Sequence, residues 1–200
     1  MEITTALVKE VRELSGAGVL DCRKTLEACD GDKDAALSYL REKGLSAAAK
    51  RADREASEGL IEVYLHQGSR VGVMLELNCE SDFVARTEDF QTLAHDLALH
   101  VAFADPACMT REDVPEQVLE AEKEVYRNQA LEEGKPENIV DRIIEGRLEK
   151  FYQEICLMDQ PFVKDEDSTI SQLITDAIAR LGENIILRRF VRYELGASAE

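Results

Sequence analysis

Apolar residues recur every three to four positions through the N-terminal quarter of the chain, in three short series separated by glycine-containing breaks. Such spacing places apolar side chains on one face of a helix and therefore predicts three short helices. Ser15–Gly18 and Asp30–Asp32 separate them, and the third stops near Gly44. Thr4 or Thr5 is placed to cap the first helix, and the last residue of the second break can cap the third. The apolar positions are Ile3, Leu7, Val11, Leu14, Cys22, Leu26, Cys29, Ala36, Leu37 and Leu40.

Beyond residue 57 the period of the apolar residues falls from about 3.6 to about 2. The alanine-rich, charged run before it, at 45–57, lacks a strong apolar stripe, and we expect a partly helical linker. Alternating series at 61–65 and 71–77 flank a turn and predict a β-hairpin with one buried face. A third strand is predicted at 184–195. The alternating apolar residues are Ile61, Val63, Leu65, Val71, Val73, Leu75, Leu77, Ile185, Leu187, Val191 and Tyr193.

Helical spacing returns between the hairpin and the late strand. One helix is predicted over residues 82–104, and a last one from about Thr169 to Gly182. Between them, two helices on either side of the turn Gly134–Pro136 suggest an antiparallel, coiled-coil-like hairpin over about 115–158. The apolar stripe of its second helix, Val140–Ile155, is most simply the seam of that hairpin.

These elements predict an α+β fold. Residues 1–54 form a three-helix domain plus linker, and three brief helices joined by tight glycine turns resemble a ubiquitin-associated domain. Residues 55–200 form a core in which a small antiparallel three-stranded sheet packs with helices and the helical hairpin protrudes. A chain of 200 residues is long enough for one domain or two small ones.

Composition and charge disfavour two classes of partner, nucleic acids and anionic membranes. The net charge of −17 argues against binding a nucleic-acid backbone or an anionic membrane surface, because both depend on Lys and Arg. No apolar run approaches the roughly 18 residues that span a bilayer. The opening Met1–Thr5 lacks the basic-then-apolar order of a secretion signal, so we expect a cytoplasmic protein. The odd set of cysteines contains no C-x-x-C pair, which disfavours a disulfide scaffold or structural zinc; it comprises Cys22, Cys29, Cys79, Cys108 and Cys156.

The segment Asn78–Arg86, Asn-Cys-Glu-Ser-Asp-Phe-Val-Ala-Arg, carries the most specific pattern in the chain. It follows a predicted strand and opens a predicted helix, so Asp82 and Phe83 fall in the first helical turn beyond a sheet edge. An acid beside an aromatic at that place suits an exposed contact better than a core. The alternative is that Ser81 or Asp82 merely caps the helix while Phe83 starts a core stripe with residues 90 and 97.

This segment closely resembles the C-E-T-D-F-V-A-R signature of the bacterial translation elongation factor Ts family, with Ser81 in place of threonine. The family begins with a three-helix domain that this chain's opening also resembles. Further segments match in family order, so the resemblance covers essentially the whole chain. They are Thr5–Arg12, Gly16–Leu26, Gly134–Ile139, Glu145–Arg147, Gln160–Asp165 and Arg189–Gly196.

The resemblance implies a guanine-nucleotide exchange factor, whose partner is elongation factor Tu in its GDP-bound and nucleotide-free states. In the family the Asp-Phe pair, here Asp82 and Phe83, enters the partner's nucleotide-binding domain and loosens GDP. An apolar tip, often two methionines but here Val19 and Leu20, contacts the same partner domain with Arg12 nearby. The alternative is that Val19 and Leu20 pack between the three helices.

The resemblance also implies an oligomer. Larger family members carry two related sheet lobes in one chain, whereas this sequence holds one hairpin and one late strand. We therefore expect a homodimer joined through the sheet-containing core.

Other chemistry is not expected from the sequence. Asp30–Asp34 imitates a calcium loop but lacks its glycine and final glutamate, and His95 and His100 lie too far around a helix to share a metal. No nucleophile-base grouping stands out, so we expect neither an enzyme nor a cofactor. The rival hypotheses are a plain helical adaptor and an enzyme that uses Cys79 or the acidic loops.

Overall fold

A computed structural model describes residues 3–197, which fold into two compact units. One unit comprises residues 3–63, 74–96 and 172–191, and the other comprises 64–73, 97–171 and 192–197. The helices are α1 Thr5–Ser15, α2 Val19–Ala28, α3 Lys33–Ala49, α4 Asp82–Ala85, α5 Glu88–Ala104, α6 Glu116–Glu132, α7 Glu137–Ile155 and α8 Ile170–Leu181. The strands are β1 Glu58–Leu65, β2 Val71–Cys79, β3 Pro161–Phe162, β4 Asp165–Thr169 and β5 Ile186–Glu194.

The three N-terminal helices pack around one small core, as the apolar pattern predicts. Thr4 caps α1 by accepting a hydrogen bond from the Leu7 N–H, and Asp32 caps α3 through the Ala35 N–H. The kinship of this bundle with ubiquitin-associated domains, and the division of the chain at residues 54 and 55, stay predictions. The buried core of the bundle consists of Val8, Val11, Cys22, Leu26, Ala36 and Leu40.

The prediction that helix α3 stops near Gly44 is wrong, because the helix continues to Ala49. The alanine-rich run that follows the glycine favours helix strongly enough to carry the chain through it. A Cβ at Gly44 would lie only 3.2 Å from the Ala179 Cβ of α8. The glycine therefore serves close packing between two helices and not termination.

The main sheet has the order β1-β2-β5 and is antiparallel, as predicted. On one face Val73, Leu75 and Leu77 of β2 are buried. The prediction that the apolar series of β1 is also buried is wrong for this single chain, because Ile61, Val63 and Leu65 are all more than half exposed. That series lies on the other, open face of the sheet.

Helices α6 and α7 form the predicted hairpin around a turn at Gly134, whose φ is 74°. Val140, Ile144 and Leu148 pack against Ala130 of α6, which confirms that this stripe is the seam of the hairpin. Arg127 pairs with Asp141, and Arg147 pairs with Glu133, across the two helices. The antiparallel pair β3–β4, which follows the hairpin, was not predicted. Within residues 3–197, no helix is both long and apolar enough to cross a membrane.

Candidate functional site

The corner between β2 and α4, residues Cys79–Arg86, is anchored on its inner side. Cys79 and Ala85 are buried, and burial raises the pKa of the Cys79 thiol. The Cys79 Sγ–H donates to the Ser81 carbonyl, and the Ser81 hydroxyl caps α4 by accepting from the Val84 N–H. Of the two residues that the alternative names as the cap, Ser81 is the one that caps the helix.

A carboxylate from a distant part of the chain holds the corner from behind. Glu183, in the turn after α8, accepts the backbone N–H groups of Glu80 and Ser81 at 3.1 and 3.0 Å. It also accepts the Ser81 hydroxyl at 2.6 Å. The Glu80 carboxylate in turn accepts the Asn184 N–H at 2.7 Å and faces Arg54 at 3.5 Å. The two acidic side chains therefore tie β2, the linker and the turn after α8 together.

Sequence reasoning missed Glu183. The residue lies 102 positions from Ser81 and sits in an ordinary polar turn after Gly182. The one feature of the sequence that marks Glu183 is its position between Gly182, which ends a helix, and the strand predicted at 184–195. Only the folded chain brings its carboxylate to the corner.

The outer side of the corner is exposed. The Phe83 ring is 81% exposed, and the Asp82 side chain is about half exposed. Arg86 donates to the Asp82 carboxylate at 2.8 Å, one helical turn away. Because both side chains are solvated, this ion pair orients Asp82 and contributes little to stability.

The alternative that Phe83 begins a core stripe is wrong. The predicted helix over 82–104 is interrupted after α4, where Thr87 accepts a hydrogen bond from the Phe90 N–H and starts α5 afresh. Phe90 and Leu97 are fully buried along α5, whereas Phe83 precedes the break and points into solvent. The break between α4 and α5 takes Phe83 out of the seven-residue series.

The turn between α1 and α2 presents a second exposed apolar tip, residues Gly16–Leu20. Gly16 ends α1 in the left-handed region with a φ of 66°, which favours glycine. Val19 and Leu20, in the first turn of α2, are 53% and 73% exposed, and the buried positions of that helix begin only at Cys22. The alternative that both residues pack between the helices is therefore wrong.

Charged groups frame the tip. Arg12 lies in the last turn of α1 and is exposed; within residues 3–197 its guanidinium makes no hydrogen bond or ion pair. Asp21 accepts a hydrogen bond from Lys43 of α3 at 2.7 Å, and this bond lowers the pKa of the Asp21 carboxyl. The link ties the start of α2 to α3. The structure thus places Arg12, Val19 and Leu20 around one turn, as a group separate in sequence from the Asp82–Phe83 pair.

The open sheet face is a third exposed surface. Glu76 and Arg189 pair at 2.8 Å, and a Cβ at Gly72 would lie 3.6 Å from Leu65, so these residues share the face with the apolar side chains. We define the open sheet face by its exposed apolar members, which are Ile61, Val63, Leu65, Met74, Val191 and Tyr193.

The described residues include one buried histidine, His100, and no cluster suited to a metal ion. Within the described part of the chain, no group of three or more His, Cys, Asp or Glu side chains is arranged to hold a metal ion. His100 is buried; its Nδ1 accepts the Val163 N–H and its other ring nitrogen lies 3.0 Å from the Gln160 amide oxygen. Burial lowers the pKa of this histidine.

Comparison with known proteins identifies the same family as the corner does. The family model described as Elongation factor TS matches residues 30–197. Elongation factor Ts of Moorella thermoacetica is 59% identical over 194 residues, which cover 97% of this chain and 96% of the relative. Elongation factor Ts of Heliobacterium modesticaldum is 56% identical, with 97% and 90% covered. Elongation factor Ts of Syntrophus aciditrophicus is 55% identical, with 98% of each chain covered.

Proposed function

Because the chain belongs to the elongation factor Ts family, a family of translation elongation factors, we propose that it is the guanine-nucleotide exchange factor for elongation factor Tu. The observation that carries the proposal is Phe83, an aromatic ring 81% exposed on a corner that buried residues and Glu183 hold in place. A side chain so exposed and so well anchored is suited to insert into a partner. Asp82 and Phe83 enter near the nucleotide and Mg²⁺ site of elongation factor Tu, and exchange takes place in the cytoplasm.

Exchange of this kind needs no bond-making chemistry and no cofactor. An exchange factor binds the nucleotide-free partner more tightly than the GDP-bound partner, and by linkage it weakens GDP binding by the same factor. A GTPase holds GDP mainly through backbone amides around the phosphates and through Mg²⁺. Displacing the elements that support those groups is therefore sufficient to release the nucleotide.

The free energy gained by burying Phe83 in the partner limits how far the corner can weaken GDP binding. Burying one Phe side chain contributes roughly 1.5–3 kcal/mol. Each tenfold loss of GDP affinity requires about 1.4 kcal/mol of differential binding, so Phe83 alone accounts for about a ten- to hundredfold effect. A larger acceleration requires further contacts, which we assign to Arg12, Val19 and Leu20.

The open sheet face supports the proposed homodimer. Six exposed apolar side chains on one side of a sheet form a surface that monomeric proteins rarely leave in water. Two copies that stack these faces bury the apolar residues of β1, and the sheet of the second copy then takes the place of a second lobe. The polar pair Glu76–Arg189 lies on the same face, beside Ile61, Met74 and Val191.

The test is the rate at which elongation factor Tu releases fluorescent GDP, measured by stopped flow with and without this protein. We expect acceleration by the wild type and a loss of about ten- to hundredfold in the Phe83→Ala variant. Phe103→Ala is the matched control, because that ring is also exposed, at 76%, but lies at the end of α5. Binding to elongation factor Tu without any change in GDP release would instead identify a helical adaptor.

A further inference from the structure

Two cysteine thiols face each other at the base of the helical hairpin. The Sγ atoms of Cys108 and Cys156 lie 3.5 Å apart, and the two residues form an isolated parallel β-bridge. The Cys108 N–H donates to the Ile155 carbonyl at 3.2 Å, and the Leu157 N–H donates to the Cys108 carbonyl at 3.0 Å. Backbone hydrogen bonds on both sides therefore hold the two backbone segments together at the cysteine pair.

The same region, which we call the hairpin neck (residues 107–113 and 155–159), is held by a charged cluster. The Arg111 guanidinium donates to Asp159 at 2.7 and 2.9 Å and to both carboxylate oxygens of Glu149 at 2.8 and 2.9 Å. It also lies 4.7 Å from the centre of the Tyr152 ring. Cys108 precedes α6 and Cys156 follows α7, so a link between them closes the chain around the whole hairpin.

We propose that Cys108 and Cys156 form a reversible disulfide site, a redox-controlled link across the hairpin neck that is made by exchange with a low-molecular-weight disulfide. Adjacent strands lie about 4.8 Å apart, which falls within the range of about 4.4–6.8 Å between the Cα atoms of bonded cysteines. A β-bridge therefore places the two Cα atoms at a separation that a disulfide can span, and the sulfurs close from 3.5 Å to bonding distance by rotation of the side chains.

The reaction proceeds by two exchanges. Cys108 is half-buried, whereas Cys156 is fully buried, so we assign the first attack on a small disulfide RSSR to Cys108. The Cys108 thiolate attacks one sulfur of RSSR, forms a mixed disulfide and releases one RSH after protonation. The Cys156 thiolate then attacks the Cys108 sulfur and expels the second RSH. Two protein thiols and one RSSR become one protein disulfide and two RSH, and two electrons pass from the protein to the small disulfide.

The surroundings of the pair make this reaction slow at neutral pH. Burial raises the pKa of both thiols, that of Cys156 to about 12. The Asp159 carboxylate also raises the pKa of both thiols and the Asp113 carboxylate raises the pKa of Cys108, whereas the Arg111 guanidinium lowers the pKa of Cys156. Because the thiolate is the attacking species, the rate rises about tenfold per pH unit below the pKa of the thiol. The pair is therefore suited to sustained oxidation and not to rapid sensing.

The experiment equilibrates the full-length protein with mixtures of oxidised and reduced glutathione, traps free thiols by alkylation and maps the peptides by mass spectrometry. We expect the wild type to lose two free thiols per chain and to yield the Cys108 and Cys156 peptides joined within one chain. Cys156→Ser stops at the mixed disulfide of Cys108 with glutathione. Cys29→Ser, which removes another half-buried thiol, still forms the link.

Two results would overturn the proposal. One is that both sulfurs remain free to alkylate at every glutathione ratio, and the other is that any link joins two different chains. The peptide map of the wild-type protein alone distinguishes a link within one chain, a link between two chains and free thiols, so no variant is needed for this decision. As a second measurement, the oxidised wild type unfolds at higher urea than the reduced protein, and Cys156→Ser shows no such difference.

Discussion

Replacing Glu183 tests whether the corner works because it is held rigid. Glu183→Ala removes three hydrogen bonds to a carboxylate and leaves the N–H groups of Glu80 and Ser81 without their acceptor. Hydrogen bonds to charged groups contribute about 1.5–3 kcal/mol each. The corner is only half-buried, so we expect a total loss of about 2–4 kcal/mol in the free energy of unfolding. Glu183→Gln keeps the shape and one acceptor oxygen and loses about 1–2 kcal/mol.

Replacing Glu183 is expected to slow nucleotide exchange as well as to lower the free energy of unfolding. In the folded variant the corner samples several orientations, so the Phe83 ring is no longer presented in one position and exchange slows. Urea unfolding gives the free energy, and GDP release from elongation factor Tu gives the exchange rate under conditions in which each variant is folded. Glu133→Gln is the control, because that glutamate is exposed in its pair with Arg147 on the hairpin, and its loss changes stability by less than about 1 kcal/mol.

A double-variant cycle separates positioning from general destabilisation. If Glu183 acts by positioning the Phe83 ring, Glu183→Gln slows exchange much less in a Phe83→Ala background than in the wild type. The reason is that substitutions at two interacting residues do not have additive effects. Additive effects on the exchange rate would refute this reasoning. So would a variant that loses stability as expected and yet releases GDP at the wild-type rate.

Three further predictions follow from the exposed surfaces and the buried histidine. Val63→Lys on the open sheet face separates the proposed dimer in light scattering, whereas Val118→Lys on the hairpin surface leaves it intact; a dimer in both variants would exclude the sheet face as the interface. Leu20→Ala at the tip slows GDP release about tenfold without changing the unfolding midpoint, while Leu131→Ala has no effect on release. His100→Asn reduces the pH dependence of stability: burial lowers the folded pKa below 6.5, so the unfolded chain binds more protons and wild-type stability falls as the pH drops below that value. Equal slopes of the free energy of unfolding between about pH 7.5 and 5.5 in wild type and variant would contradict the third prediction.

Periodicity and turn residues predicted most of the elements. The bundle, the hairpin β1–β2, the late strand and the helical hairpin all form where the apolar pattern changes period or where glycine and proline interrupt it. These features depend on local spacing, which a sequence displays directly. Phe83 was placed by the strand-to-helix corner and by the family signature together.

The errors arose where tertiary structure outweighs local pattern. Gly44 looks like a helix stop, yet it lies inside α3, where the alanine-rich run continues the helix and Ala179 packs against the glycine. The alternation in β1 predicts a buried face, yet alternation shows only that one face is apolar and does not show what covers it. Here that face is open in a single chain.

Long-range polar contacts were beyond sequence reasoning altogether. Glu183 and Ser81 are 102 residues apart, and a lone glutamate in a polar turn has many unremarkable explanations. The pairing of Cys108 with Cys156 was likewise invisible, because their spacing reflects only the length of the hairpin between them. In both cases only the folded structure brings the two residues of the pair together.

The most direct test of the central claim compares two equilibrium affinities, for nucleotide-free and for GDP-bound elongation factor Tu. The account predicts that the wild type binds the nucleotide-free partner far more tightly and that Phe83→Ala reduces the ratio of the two dissociation constants by about ten- to hundredfold. An unchanged ratio in Phe83→Ala, with wild-type folding, would contradict the claim that this exposed ring drives nucleotide release.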